Sequence, residues 1–559
     1  MNKSPGIIWI GLANLCWLLS SIPGWLAFQL ASRRVKRTQL ALLQRIIRTN
    51  AATKFGQAHH FDALSIVKDF QTLPLSEYED YEGFISEIKA GTTAVLTSDP
   101  VELLQPTSGS TAATKLIPYT RSLKAEFKAA VDPWIASMYL AHPSLLWGRH
   151  YWSISPATLC PADDLSRVRI GFADDTEYLG GIQRFLARAL FALPPEFSQL
   201  TGHDAFEYLT LLFLCREKNL RVISVWHPSF LTALLKTLPQ HVQSIIHDIE
   251  SAAISGEVKL DPELRRTLVS RLRPDAKRAQ DLRQLDVSTG AGRCALWPHL
   301  RIISCWTDGI SEPWLTELIR CFPQATIQGK GLTATEGIVS FPFGDSGRTI
   351  CAVRSHFFEF IDVATGHARC AWELEEGQEY SVVLTSGGGL YRYRLHDIVR
   401  VTGYDHQAPY LKFVARDNIV SNLVGEKLNG KHVEESIRKI ENALGFHFRF
   451  AMIAPVEKEG DALYVLFAQA AEESTPDFQS VSQLMEAELN RNYHYQHARN
   501  LSQLQHLKVF SIDGSRDADV VYRRHCLEQG TKSGEIKFNA LSVDRTWDEE
   551  FPGKYITGE

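Results

Sequence analysis

The sequence predicts an α/β protein with a large, mainly parallel N-terminal domain, a small antiparallel β subdomain and a smaller C-terminal α/β domain. Three observations predict this architecture. Short apolar runs alternate with helical patterns over residues 151–321, strands become closely spaced over residues 349–401, and the alternation starts again after Arg416. Strands alternating with helices are typical of parallel sheets, whereas strands joined only by turns are typical of antiparallel ones. A chain of 559 residues is also too long for a single hydrophobic core.

Composition excludes several classes of partner. The chain has 59 Lys and Arg against 64 Asp and Glu, for a formal net charge of -5. No bulk positive charge favours nucleic acid, so we expect no nucleic-acid partner and a specificity that comes from pockets. The nine cysteines are odd in number and form no C-x-x-C pair, which indicates neither a zinc site nor a disulfide framework. This usage fits the reducing cytoplasm.

The N-terminal segment, residues 1–35, is apolar. Residues 4–32 carry no charge and exceed the roughly 20 residues needed to span a bilayer, but Pro23 interrupts them. A weak n-region and the lack of a small-x-small site argue against a cleaved signal peptide. Basic residues follow at Arg33, Arg34, Lys36 and Arg37 and would keep the rest of the chain in the cytosol. Two interpretations stay open: a helix packed on the protein's own surface, or membrane association through residues 7–31.

Secondary structure is predicted in chain order from apolar periodicity. Residues 38–50 have helical spacing, residues 101–104 form a short strand, and residues 122–139 form a helix. The Gly/Ser loop at residues 107–115 is therefore expected between a strand and a helix, where loops bind anions. Further strands are predicted at 151–154, 222–226, 301–305, 357–361, 380–385, 398–401, 448–453 and 463–467, and further helices at 205–216, 313–321, 433–444 and 481–493.

The loop at residues 107–115, Thr-Ser-Gly-Ser-Thr-Ala-Ala-Thr-Lys, has the composition of a phosphate cradle. Its small residues leave backbone N–H groups accessible, and Lys115 adds a positive charge where phosphate charge collects. A Walker A loop is unlike this one, because Thr114 stands where a glycine is required and Leu116 replaces the Mg²⁺-binding hydroxyl residue. Taken alone, the loop is equally well interpreted as a solvated turn.

Two later stretches favour the phosphate cradle. Residues 331–337 (Gly-Leu-Thr-Ala-Thr-Glu-Gly) and 391–397 (Tyr-Arg-Tyr-Arg-Leu-His-Asp) complete the ordered trio of nucleotide-binding motifs seen in adenylate-forming enzymes. Together with Phe55-Gly56 and residues 425–428 (Gly-Glu-Lys-Leu), they closely resemble the auxin-responsive acyl acid amido synthetase family, the Gretchen Hagen family, in its bacterial branch. The resemblance covers residue 38 to the C-terminus, and its specificity lies in the order and spacing of the motifs.

The resemblance implies an adenylate-forming fold, with ATP and Mg²⁺ as cofactors. A carboxylate is a hard oxygen ligand, so Glu336 is suited to Mg²⁺, and the family assigns that kind of role to the corresponding glutamate. Thr335 is placed for the α-phosphate or the acyl oxygen. Asp397 is matched to the ribose, because a carboxylate can accept from two vicinal hydroxyls. The β- and γ-phosphates would be held by Ser108, Gly109, Ser110, Thr111 and Lys115.

The resemblance also implies a mobile C-terminal domain. The ATP-binding domain is expected over residues 36–415 and the smaller cap domain over residues 416–559. Arg416 resembles the first residue of the family's hinge pair and is included among the cofactor-binding residues, although Ala415 stands where a glycine is usual. Lys537 is matched to the lysine near the C-terminus that helps one half-reaction.

Each motif has a structural alternative. Glu336 could be a residue at a helix N-terminus, and Asp397 a turn residue. Arg392 and Arg394 alternate along a strand and could be a solvated pair on its edge. His396 stands where the family more often has a small residue, which leaves the shape of the turn before Asp397 open.

These features predict a two-step ligase. A carboxylic acid reacts with ATP to give an acyl-adenylate and pyrophosphate, and the amine of an amino acid then displaces AMP. The alternatives are an acyl-CoA ligase with the same first step, and a catalytically silent, membrane-associated binding protein. Candidates for the acyl pocket are Trp226, His227, Phe230 and Trp306, although core packing is the commoner role of such aromatic residues.

Overall fold

The computed structural model describes residues 6–107, 115–153, 166–172, 181–200, 203–255, 258–308, 311–344, 347–416, 420–424, 426–458, 461–471, 476–529, 531 and 536–556. The helices before residue 330 are α1 (Ile7–Ser32), α2 (Val35–Asn50), α3 (Lys54–Ala58), α4 (Val67–Phe70), α5 (Glu82–Lys89), α6 (Arg121–Ala141), α7 (Gly181–Leu190), α8 (His203–Arg216), α9 (Pro228–Ser251), α10 (Pro262–Arg271), α11 (Ala276–Arg283), α12 (Gly290–Leu296) and α13 (Glu312–Cys321). The later helices are α14 (Gly430–Leu444), α15 (Phe478–Leu489), α16 (Tyr493–Asn500), α17 (Ala518–Glu528) and α18 (Trp547–Glu550).

The apolar N-terminal segment forms the long helix α1, which packs against α6, α7 and the 3₁₀ helix Pro143–Trp147. Asn14 and Trp17 are fully buried on its inner face, and the Asn14 amide donates to the carbonyl oxygens of Leu146 and Gly148 at 2.9 and 3.0 Å. This face of α1 is therefore packed against the protein's own surface. Within the described part of the chain, α1 is the one helix long and apolar enough to cross a membrane by length and composition.

The strand before the predicted phosphate loop and the strand after it pair with each other, and residues 108–114 between them lie outside the described residues. Strand β1 (Leu103–Pro106) pairs antiparallel with β2 (Leu116–Tyr119). On its other side, β1 pairs parallel with the short strand β4 (Arg169–Ile170). The helix predicted at residues 122–139 is α6, but the strand at residues 116–119, which stands between the loop and this helix, was not predicted. Thr107 donates to the Lys115 carbonyl at 2.8 Å and closes the hairpin.

A parallel sheet forms the core of the large domain, as predicted. Its order is β3-β5-β6-β7, and the strands are β3 (Arg149–Trp152), β5 (Leu220–Ser224), β6 (Ile302–Cys305) and β7 (Thr326–Gly329). The fourth strand was not predicted, because its sequence Thr-Ile-Gln-Gly holds one large apolar residue. Helices α8, α9, α11 and α13 contribute most of the apolar side chains that bury this sheet.

The antiparallel subdomain is larger than predicted and forms a seven-stranded sheet of order β11-β10-β12-β13-β14-β9-β8. The strands are β8 (Ser340–Pro342), β9 (Thr349–Cys351), β10 (Phe357–Asp362), β11 (Ala368–Cys370), β12 (Glu379–Thr385), β13 (Tyr393–Asp405) and β14 (Ala408–Arg416). Helix α2 is joined to this sheet by Gln39, whose amide donates to the carbonyls of Val353 and His356 and accepts from Phe358.

The C-terminal domain combines helices with a four-stranded mixed sheet. Strands β15 (Val420–Ser421) and β16 (Leu428–Asn429) precede it, and its own order is β17 (Phe448–Lys458), β18 (Asp461–Ala470), β19 (Lys508–Ile512) and β20 (Gly553–Tyr555). The domain contacts the N-terminal region through α13: Trp314 stacks on Phe538 with ring centroids 4.7 Å apart and donates to Asp519 at 3.2 Å.

Candidate active site

Thr335 and Glu336 form the tip of a two-residue turn. Ala334 and Gly337 exchange hydrogen bonds at 3.0 and 3.2 Å, and Thr333 forms a β-bridge with Ile338. The Thr335 carbonyl accepts from the Tyr119 hydroxyl at 2.7 Å, which ties the turn to strand β2. Glu336 therefore lies in a turn and not at a helix N-terminus.

A buried polar network supports this turn from below. His356 accepts from the Ile338 N–H through Nε2 at 3.2 Å and donates from Nδ1 to Glu126 at 2.9 Å. Glu126 also accepts from the Gly387 N–H at 2.9 Å. A Cβ atom on Gly337 would lie 2.5 Å from His356 Nε2, so only glycine fits above the imidazole.

Neither Glu126 nor His356 was predicted as a site residue from the sequence. A signal for Glu126 exists, since its carboxylate lies among Leu123, Phe127 and Ala130, on the apolar face of α6. A charge on such a face needs a buried partner. No comparable signal exists for His356, whose role depends on Glu126, which lies on helix α6 and is distant in sequence.

Asp397 and Arg416 are direct cross-strand neighbours on β13 and β14. The Arg416 Nε–H donates to Asp397 Oδ1 at 3.0 Å, and the Asp397 side chain is nearly buried. Asp397 is the main cause that raises the pKa of Arg416, and Glu336 adds to it. One carboxylate oxygen of Asp397 is thereby oriented, and the pair forms one unit although its members were predicted for separate roles.

Glu336 belongs to the same electrostatic group. Burial raises the pKa of Glu336 above its usual value, the nearby positive charges of Arg416 and Lys115 oppose that rise, and Asp397 adds to it. Lys115 itself lies 3.7 Å from Glu79 and over the ring of Tyr78 at 5.3 Å. The structure therefore gathers two carboxylates and two cations from three segments that are far apart in sequence.

Lys537 reaches this group from the C-terminal domain. One cleft is lined by Asp397 and Arg416, by Trp306 of the large domain and by Lys537. The Lys537 ammonium lies over the Trp306 ring, 5.1 Å from its centroid. The cleft thus lies where the three parts of the molecule meet.

The aromatic residues predicted for the acyl pocket separate into two groups. Trp306 and His227 line the cleft, whereas Phe230 is buried against Arg523 and Trp226 contacts the Lys330 ammonium. Burial lowers the pKa of His227 to about 3, and the positive charges of Arg523 and Lys537 add to this. His227 is therefore a neutral hydrogen-bonding group in the cleft wall.

Arg392 is a structural residue rather than a solvated one. Its guanidinium is buried and makes two 3.0 Å hydrogen bonds to Glu359. The alternative that Arg392 and Arg394 form a solvated pair is therefore wrong for Arg392. Arg394 contacts Glu77 at 3.5 Å. His396 has a left-handed backbone with φ 62° and binds Glu77 through Nε2 at 2.6 Å, so its side chain is directed to Glu77 and the turn still places Asp397 beside Arg416.

Mg²⁺ fits the site only in part. No group of three or more His, Cys, Asp or Glu side chains that could hold a metal was found in the described ranges. Glu336 supplies one carboxylate, and Mg²⁺ commonly binds through one or two carboxylates together with nucleotide phosphates. Ser108, Gly109, Ser110 and Thr111 lie outside the described residues, as does Gly425.

Comparison with known proteins shows the family. The GH3 family N-terminal domain matches residues 26–327, and the GH3 family central domain matches residues 349–416. The probable indole-3-acetic acid-amido synthetase GH3.1 of Arabidopsis thaliana is 23% identical over 429 residues, which cover 74% of this chain and 72% of that protein. The jasmonoyl-L-amino acid synthetase JAR6 of Nicotiana attenuata is 23% identical over 442 residues, covering 73% and 74%.

Solved structures show the same fold. The AtGH3.15 acyl acid amido synthetase in complex with 2,4-DB superposes with a TM-score of 0.79 at 18% identity, over 94% of both chains. A 2-hydroxyisobutyryl-CoA ligase in the postadenylation state has a TM-score of 0.52 at 10% identity, over 93% of this chain and 91% of that one. The predicted adenylate-forming fold is thereby confirmed, and this chain belongs to the GH3 family.

Proposed function

We propose that this chain is an ATP-dependent acyl acid amido synthetase, which joins a carboxylic acid to the amine of an amino acid through an acyl-adenylate. The observation that carries the proposal is the charged group of Glu336, Asp397 and Arg416, with Lys537 of the C-terminal domain in the cleft beside it. Such a group can hold a nucleotide and balance the charge that develops when its phosphate is attacked.

In the first step, a carboxylate oxygen of the acid forms a bond to the α-phosphorus of ATP while the bond to pyrophosphate breaks. Asp397 would hold the ribose with the carboxylate oxygen that Arg416 leaves available. Thr335, at the tip of its turn, is suited to the α-phosphate or the acyl oxygen. Lys115 and the loop residues Ser108, Gly109, Ser110 and Thr111 would hold the β- and γ-phosphates.

Mg²⁺ would reach the site with the nucleotide, where it offsets phosphate charge. Glu336 is the residue we propose to bind it. The raised pKa of Glu336 follows mainly from burial, and a bound cation would favour the ionised carboxylate.

In the second step, the amine attacks the acyl carbonyl, the bond to AMP breaks, and the amine loses a proton. In the present arrangement Lys537 lines the same cleft as Asp397 and Arg416, which favours a role for Lys537 in the first step. Rotation of the C-terminal domain about Arg416 would then remove the lysine and open the cleft to the amine.

The relatives are named for indole-3-acetic acid and for jasmonoyl conjugates, and we propose small carboxylic acids of that general kind as substrates. The matched relatives named above are plant proteins, so the bacterial branch stays a prediction from the sequence. The use of ATP favours a cytoplasmic location. Coenzyme A remains the alternative acceptor, because the fold is shared with a CoA ligase.

The proposal is tested by acid-dependent ATP-pyrophosphate exchange across pools of aromatic, fatty and hydroxy acids. Exchange that requires one pool would support adenylation, and mass spectrometry after addition of amino acids or coenzyme A would distinguish an amide from a thioester. Folded protein that binds ATP but exchanges with no pool would favour the silent binding protein.

A further inference from the structure

Helix α1 has an outer face that no other described part of the chain covers. Exposed apolar side chains recur along this face at intervals of three, four or seven positions, which is helical spacing, and we call them the stripe. They are Ile8, Leu12, Leu15, Leu19, Leu26 and Leu30, with exposed fractions from 39% at Leu15 to 70% at Ile8. Trp9, beside the stripe, is 69% exposed. Several large apolar side chains exposed on one helix face are typical of an interaction site.

The opposite face of the helix is held to the protein by hydrogen bonds and buried aromatic side chains, and both would be lost if α1 left the protein surface. The Tyr139 hydroxyl donates to Asn14 Oδ1 at 2.6 Å, and the Asn14 amide is bound to backbone carbonyls of the 3₁₀ helix region. Trp17 and Phe28 are fully buried. If α1 spanned a membrane, these polar groups would lose their hydrogen-bond partners. Any membrane contact must therefore use the outer face, with the helix lying in the membrane plane.

Positive charge directly continues the stripe. Arg33 follows Leu30 by three positions, and Arg33, Arg34, Lys36 and Arg37 are all exposed and line one shallow depression with Gln407. No acidic residue lies within α1. Since the whole chain has a net charge of -5, this local cluster is distinct from the average surface. Apolar residues beside a basic cluster match an anionic lipid surface, with acyl chains under the stripe and headgroup phosphates at the arginines.

We propose that the outer face of α1 and the basic cluster at residues 33–37 dock the protein peripherally on anionic phospholipid membranes. The helix of 26 residues lies in the interface, and the catalytic domains remain in the aqueous phase. The docking is independent of the proposed ligase chemistry, because none of its residues contributes to the cleft described above.

Vesicle flotation with the full-length protein tests this. We expect binding to phosphatidylcholine vesicles that contain phosphatidylglycerol, and roughly ten-fold less to pure phosphatidylcholine. Leu12→Ser with Leu19→Ser should reduce binding by about ten-fold, because two stripe residues lose their apolar contact. Arg34→Glu with Arg37→Glu should abolish the preference for anionic vesicles. Leu501→Ser is a matched control, since Leu501 is 53% exposed, as Leu19 is 59% exposed, but lies in the C-terminal domain.

Cys16 provides a second readout that needs no mutation. It is the one exposed cysteine in the described ranges, the others being buried or half-buried, and it lies next to Leu15. Anionic vesicles should slow maleimide labelling of the Cys16 peptide, measured by mass spectrometry, and Arg34→Glu with Arg37→Glu should restore the rate. The proposal would be overturned if Leu12→Ser with Leu19→Ser bound phosphatidylglycerol vesicles as well as the wild type does, or if the wild type did not bind them. So would a dimer in light scattering that Leu12→Ser with Leu19→Ser converts to monomer, since a second copy would then cover the face.

Discussion

Arg416 donates its Nε–H to Asp397 Oδ1 at 3.0 Å across the antiparallel strands β13 and β14, and β14 ends at Arg416, the predicted boundary of the C-terminal domain. The pair links the nucleotide site to the segment about which the domain is proposed to rotate. Because the Asp397 side chain is nearly buried and that of Arg416 is 39% exposed, the guanidinium can turn toward a bound phosphate while Asp397 stays in place.

We expect Asp397→Asn to lower kcat/KM for ATP by about 10²-fold, because an amide binds ribose hydroxyls and Arg416 less strongly than a carboxylate does. Arg416→Lys should have a smaller effect, since it keeps the charge but loses the planar donor set. ATP-pyrophosphate exchange measures both. Arg400→Gln on the same strand is the control, because Arg400 pairs with Glu379 at the surface. Equal activity of Asp397→Asn and the control would contradict the assignment.

Glu336→Gln is expected to remove most exchange activity while it increases stability. Because burial raises the pKa of Glu336, folding disfavours its ionised form, and stability is lost as the pH rises through that raised pKa. The glutamine variant should therefore unfold at a higher temperature than wild type at pH 7, and the difference should vanish at acidic pH.

The raised pKa of Glu336 should also make the activity of the wild-type protein depend on pH. Since the ionised carboxylate is the form that binds Mg²⁺, exchange should decline on acidification at a pH above the usual glutamate value of about 4.3. Saturating Mg²⁺ should move the decline to lower pH. A profile that does not respond to Mg²⁺ would argue against Glu336 as its ligand.

Gly337→Ala should lower turnover by displacing the turn that carries Thr335 and Glu336. The new methyl group would lie 2.5 Å from His356 Nε2, so either the turn or the imidazole must move, at a cost of about 1–3 kcal/mol of stability. Gly83→Ala is the matched control, because a Cβ there has no atom within 4 Å and alanine favours the helix. Thermal unfolding and exchange assays on both variants separate the local clash from a general effect of alanine.

Lys537→Ala is expected to affect the two half-reactions unequally. Lys537 lines the cleft with Asp397 in this conformation, so pyrophosphate exchange should fall by about 10²-fold. The reaction of supplied acyl-adenylate with an amino acid should change little, because the lysine is expected to move away in that step. Equal losses in both assays would show instead that the variant disturbs the packing of the domains.

His150→Phe should reduce the loss of stability in acid. His150 is fully buried in contact with Trp17, and burial lowers its pKa to about 3. Between the unfolded value of about 6.5 and that pKa, the unfolded chain binds a proton that the folded chain does not, so the free energy of unfolding falls by about 1.4 kcal/mol per pH unit. The variant should lack this contribution. Denaturant unfolding of both proteins from pH 7 to pH 4 measures the difference in slope.

Local sequence determined most of the architecture. Apolar periodicity was sufficient for the parallel strands β3, β5 and β6 and for helix α2, because their periods reflect which side chains are buried. It failed where the signal is weak: β7 is short and polar, and β2 was not distinguished from the loop before it. The order of three motifs in the sequence was enough to indicate the family, since order and spacing survive when single residues change.

Tertiary structure decided which residues act together. The sequence indicated Glu336, Asp397 and Arg416 one by one, but the pairing of Asp397 with Arg416 depends on the register of β13 and β14, and the position of Lys537 depends on how Phe538 packs on Trp314. The support of the Glu336 turn by Glu126 and His356 joins residues 230 positions apart. The sequence gives α1 its apolar character, whereas only the packing against α6 decides which half of that surface stays exposed, because burial is a property of neighbours in space.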